Sequence, residues 1–187
     1  MSVDSSKVRV AVTGAVSKAP TGSTAPTDAS TALAAPFVDL GGISEDGVTL
    51  TLPDNGDKTN IKVWQGGASV RTVRSTSDDL PTIQFTLMET SLAAVETYFG
   101  TTVTQTATDG SFEYVVENRG ADAYVLDVID GAELMRVYIP HGVVASVGDV
   151  SLTHTDAIGY EVTIEAELDN TAGFCFKTWS TALKTGA

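Results

Sequence analysis

The chain has 187 residues, 42% of them apolar, so one domain with a sizeable core is expected. Its formal net charge of −13 disfavours tight nucleic-acid binding, and the lone Cys175 excludes an intrachain disulfide. No charged and apolar leader opens the sequence and no apolar run approaches the ~20 residues of a membrane span, so neither signal-peptide export nor membrane insertion is expected. Thr (26 residues) and Val (22 residues) together exceed a quarter of the chain. That many β-branched side chains bias the fold towards sheet.

In chain order, residues 7–13 alternate with Val8, Val10 and Val12 on one side, the pattern of a half-buried strand. Of the 24 positions in 13–36, twenty are Ala, Ser, Thr, Pro or Gly. Residues 14–36 therefore read as an extended arm, with Leu33, Phe37 and Val38 as apolar anchors at its end and a neighbouring subunit as its support. The Asn55-Gly56 pair between two β-forming runs then predicts a hairpin over 48–64 that projects from the domain. Strands are also predicted at 69–75 and at 82–88, the latter with Ile83, Phe85 and Leu87 inward. One amphipathic helix is predicted at about 90–100, with Leu92, Val95 and Phe99 on a common face.

A Thr-rich turn at 101–110 leads to a predicted strand at 112–117. Further strands follow at 123–128 and 133–139, joined through Asp130-Gly131, then at 143–155, 160–168 and 174–179. Strands at this spacing specify a mainly β chain, an antiparallel sandwich or small barrel with one short flanking helix. There is no internal repeat.

Catalytic chemistry finds little footing. His141, placed in a turn after Pro140, and His154 lack the partners of a metal site, and no Gly-x-Ser-x-Gly elbow is present. Gly41-Gly42 and Gly66-Gly67 lack the Lys or helix signal of a phosphate loop. Phe174-Cys175-Phe176 reads as a buried inert thiol. Charge is unevenly spread: residues 101–176 hold thirteen acids against Arg119 and Arg136, and the rest holds eleven acids against nine bases. Within 160–169, period-two geometry places Glu161, Thr163, Glu165, Glu167 and Asp169 on one face. A solvated face of an acidic protein accounts for this run; so does a surface that must hold negative charge.

The motifs Asp39-Leu40-Gly41-Gly42-Ile43-Ser44, the Asp54 to Asp57 turn and Lys62-Val63-Trp64-Gln65-Gly66-Gly67 resemble the major tail proteins of long-tailed phages, most closely those infecting actinobacteria. The likeness is specific over 38–100 and weaker after Phe112. It implies a single tail-tube domain over 1–187 that forms hexameric rings whose sheets merge into one barrel, the rings stacking into a tube. Four strands from each of six subunits would enclose a backbone cylinder roughly 45–50 Å across. The implied partners are other copies of the chain, a tape-measure protein, tail-tip and terminator proteins, and genomic DNA that passes without being held. The implied setting is the virion tail, with assembly in the host cytoplasm. No catalytic residue, metal or cofactor is implied. Asp54, Asn55, Gly56 and Asp57 are the expected ring-stacking tip, and Glu161, Glu165 and Glu167 the expected acidic channel wall. An adhesin or virion-decoration β-sandwich is the alternative, and a secretion-system tube would share the same physics.

Overall fold

The computed structural model describes residues 4, 7–64, 66–75 and 79–185. Its centre is one antiparallel sheet built from β1 (Thr13–Pro20), β2 (Val38–Asp39), β3 (Ile43–Thr51), β6 (Thr82–Leu87), β9 (Ala121–Asp130), β10 (Glu133–Val147) and β11 (Tyr160–Ala166). These run in the order β2-β1-β9-β10-β11-β6-β3, and β12 (Lys177–Ser180) adds to β10 beyond the end of β11. Two separate ribbons complete the β structure: β4 (Lys58–Lys62) with β5 (Ser69–Arg74), and β7 (Thr104–Gln105) with β8 (Gly110–Ser111). The one α-helix among the described residues is α1 (Leu92–Phe99), and a short 3-10 helix, Thr181–Leu183, follows β12. Mainly β, antiparallel, with one short helix, the chain has the expected class.

Alternation explains which side of the sheet is dry. Ile83, Phe85 and Leu87 of β6, Val162 and Ile164 of β11, and Tyr124, Val137 and Ile139 of β9 and β10 are all buried in one cluster. Each such side chain taken out of water contributes roughly 1.5–3 kcal/mol. The sheet curls so that β1, β9 and β10 face β3 across an apolar cavity of about 550 Å³ lined by Val48, Leu50, Leu126, Val128 and Val137. The helix lies on the same side against β11. Its N-cap is Ser91, whose Oγ accepts from Ala94 N at 3.2 Å. It buries Ala94, Val95, Thr97 and Tyr98, whereas Leu92 is exposed. Tyr98 explains the rotation from the predicted face: its ring stacks edge-on against Tyr160 and its hydroxyl donates to Gly148 O.

The long strand β10 continues straight through Pro140 and His141, where the sequence suggested a turn. Pro140 cannot donate to a ladder, and the register with β9 shifts between Ile139 and Gly142. Past that bulge β10 pairs with β11. Gly142 is required by crowding: a Cβ there would lie 2.7 Å from the Tyr124 ring and 3.0 Å from Ile164.

Several expectations are corrected. Residues 14–36 are not a free arm: 13–20 form β1, with Val16 and Ala19 buried, and 21–37 fold back as a strap over the chain's own sheet. Leu33 and Phe37 pack on Ala123, Val125 and Tyr138 on the face opposite the helix. Arg136, buried in β10, fixes the strap. It makes a bidentate pair with Asp127 (2.6 and 2.9 Å) and donates to the carbonyls of Asp28 and Thr31. Asp28 shapes the strap locally. Hydrogen bonds from the Thr31 hydroxyl and amide, and from Ser30, hold its carboxyl well below the usual carboxylate range.

Second, Val48 to Trp64 is not a hairpin. β3 pairs with β6, and β4 pairs with β5, so Asp54, Asn55, Gly56 and Asp57 are a link between two sheets. The apolar residues of β3 lie beside β6 instead, half-buried Val48 next to Phe85 and the more exposed Leu50 next to Ile83. The true hairpin turn passes through Gly66 and Gly67, with φ of 86° and 65°. Third, residues 8–12 are not a half-buried strand. Val12 N bonds Ile129 O beside β9, but Val8, Val10 and Val12 are 61%, 61% and 68% exposed because no layer covers them. The predicted strand at 112–117 likewise joins no ladder, and the one at 143–155 ends at Val147. His154 accordingly lies in an exposed loop.

Replacing Arg136 by Ala strands the Asp127 carboxylate and releases two strap carbonyls. A loss of about 3 kcal/mol in unfolding free energy is expected from urea titration. Gly142→Ala is expected to cost about 1–3 kcal/mol by overpacking against Tyr124, read as a lower melting temperature with retained β-sheet circular dichroism.

Candidate functional site

Directly paired residues in an antiparallel ladder share a face, so the registers define the surface opposite the core. One row across three strands is Thr51, Thr82 and Glu165; the next is Thr49, Gln84 and Thr163; the third joins Thr86 to Glu161. Every member is exposed or half-buried, and none is basic or apolar. The neighbouring half of the same face, over β9 and β10, lies beneath the strap. What remains open is a patch of hydroxyls, an amide and two carboxylates.

Two of the three predicted glutamates belong to this patch. Glu161 accepts from Gln84 Nε2 at 2.5 Å, which orients both side chains. Glu165 sits four residues along the strand, roughly 13 Å away, with Thr163 between them. That separation exceeds the ~8 Å screening length at physiological salt, so the face carries its charge without strong internal repulsion. Glu167 lies past the end of β11. Its amide donates to His141 O, and its carboxylate stands 3.1 Å from His141 Nδ1.

Asp54 and Glu165 line one open cleft of about 500 Å³, together with Asp79, Thr51 and Thr82. The link between β3 and β4 thus adjoins the polar face. Asn55, Gly56 and Asp57 lie at the base of the β4–β5 ribbon, where Asp57 N and O both bond Ser75. They are not its tip.

The ribbon itself is wholly exposed, with Trp64 96% accessible at its turn. It carries Lys58, Lys62, Arg71 and Arg74 and no acid, four of the eleven bases in the chain. Sequence reading overlooked the ribbon's charge and the threonines of β3 and β6. The first was legible as an acid-free run in an acidic chain, the second as the alternate positions of strands already recognised.

Among the described residues no cluster of three or more His, Cys, Asp or Glu side chains is placed to hold a metal ion. No helix among them is long and apolar enough to cross a membrane. Cys175 is half-buried and packs against the main core.

Comparison with curated proteins gives no match. The phage tail tube protein family matches the chain over residues 1–179, nearly its whole length. The chain therefore belongs to the phage tail tube protein family, as a structural, β-rich protein of the virion tail.

Proposed function

We propose that this chain is the repeating subunit of a tail tube built from stacked hexameric rings, that it performs no catalytic step, and that the open polar face lines the channel through which the genome leaves. The family membership supports a self-assembling tube subunit. The observation that carries the channel assignment is the Thr/Gln/Glu patch with Glu161 and Glu165, an uncharged-to-acidic surface on a sheet that is dry on its other side. A wall with Lys or Arg would bind phosphates through counterion release, each contact compounding the last. Hydroxyls and spaced carboxylates leave DNA hydrated and repelled only within about 8 Å at physiological salt. Assembly in the host cytoplasm around a tape-measure protein, closure by tail-tip and terminator proteins, and an actinobacterial host belong to the same reading. They rest on the likeness of the 38–100 motifs to the tail proteins of such phages.

Purified protein examined by negative-stain electron microscopy is expected to show rings or hollow tubes. A species that stays small at every concentration and with tail-assembly partners present would overturn the tube reading. The double variant Glu161→Lys/Glu165→Lys is expected to form tubes of normal length but to slow genome delivery by about tenfold or more, with recovery at higher salt. Unchanged delivery would remove both residues from the channel wall.

A further inference from the structure

The β4–β5 ribbon is internally mismatched. Lys58 and Arg74 are direct cross-strand partners, and like charges placed directly opposite destabilise a ladder. None of its four cations forms an ion pair with a described residue, whereas Lys7, Arg9, Lys18 and Arg136 each do. Exposed Ile61, Trp64, Val70 and Val73 alternate with these charges. A two-stranded ribbon of this kind is marginal in water without a covering surface. Outside residues 58–74 the chain has 24 acids and seven bases, a net of −17. The surface that suits the ribbon is therefore abundant on a second copy of the same chain.

One segment matches it in both charge and texture. Residues 109–117 hold Asp109, Glu113 and Glu117 and no base. The 112–117 part has the composition of a strand yet takes part in no ladder. Phe112 and Tyr114 anchor it on Phe99. Val115 and Val116 are left 62% and 87% exposed between the two glutamates.

We infer that the ribbon of one copy docks on the 112–117 segment of a neighbouring copy, Glu113 and Glu117 relieving the Lys58–Arg74 repulsion and the exposed valines covering each other. This rests on the reading of the chain as a self-assembling subunit and names the contact that reading lacks. A DNA duplex would also answer the ribbon's charge, but Ile61, Val70 and Val73 between the cations favour a partly apolar protein surface.

The test uses full-length protein in a Cys175→Ser background. Copies carrying Val70→Cys are mixed with copies carrying Val116→Cys and treated with a short bismaleimide. Cross-linked dimers are expected from the mixture, in clear excess over either variant alone. Lys58→Glu/Arg74→Glu in the first copy, or Glu113→Lys/Glu117→Lys in the second, is expected to cut the yield by about tenfold. Mixing the two reversed copies is expected to restore it. Circular dichroism and melting verify that each variant is folded. Capture insensitive to reversal, or no recovery in the doubly reversed mixture, would overturn the contact. So would retention of short duplex DNA that depends on Lys58 and Arg74 while copies cross-link unchanged. Tubes without Val70–Val116 capture would remove this contact and leave the tube reading standing. Capture without tubes would do the reverse.

Discussion

Everything in this subunit is arranged around one strand that must serve several neighbours. β10 pairs with β9 along one edge from Glu133 to Val143, and along the other edge first with β12 and then, after the bulge at Pro140, with β11. The change of partner is possible because Pro140 interrupts the ladder and Gly142 lets Tyr124 and Ile164 close over the backbone. The same strand places Val137 and Ile139 in the main core, Tyr138 beneath the strap and Arg136 at the strap's anchor. One side of the sheet is thereby covered by its own curl and the helix, apart from the cavity between β3 and the β1, β9 and β10 strands. The other is half covered by residues 21–37 and half left open as the polar patch.

The division of labour between the two halves of that second face follows from charge and side-chain size. Arg136 is the costly element: a guanidinium out of water is tolerated only because Asp127 meets it in a planar fork and two carbonyls take two more of its five hydrogens. On the open half nothing needs such rescue, since threonine hydroxyls and spaced carboxylates are content beside water. The Asp39-Leu40-Gly41-Gly42 motif works between these regions. Leu40 is wholly buried and bonds Val16 O, Asp39 Oδ1 accepts from Gly41 N, and Glu89 accepts from Gly42 N at the start of β3.

Much of the β content was legible because alternation reports which side of a strand is dry. β6 and β11 are the clear cases: Ile83, Phe85 and Leu87 are buried as read, and in β11 Val162 and Ile164 are buried between the residues of the glutamate row. Alternation does not report the partner. Asn55-Gly56 signalled a turn and the chain does bend there, yet β3 leaves it to pair with β6, thirty residues on. The actual hairpin turns at Gly66-Gly67, a pair that lacks the signal of a phosphate loop and adopts positive φ at both residues. The strap was misjudged from its lack of large apolar residues. The clue lay elsewhere, in a lone Arg136 within Leu134-Met135-Arg136-Val137-Tyr138-Ile139, since an arginine in a buried strand must find acceptors. For the candidate site, Glu161 and Glu165 could be read from period two. Glu167 could not, because the strand ends at Ala166.

The outer edge of β3 bears on how such subunits keep company before they polymerise. Its ladder with β6 is broken between Ile43 and Val48, and Glu45, Asp46 and Gly47 occupy the break. A kinked, charged edge offers a passing strand only a short run of free amides and carbonyls, the device by which sheet proteins avoid sticking edge to edge. The self-repelling Lys58–Arg74 pair acts in the same direction on the ribbon. Chains that have not yet assembled are thereby discouraged from adding to one another strand by strand, so that association is left to matched surfaces rather than to open backbone.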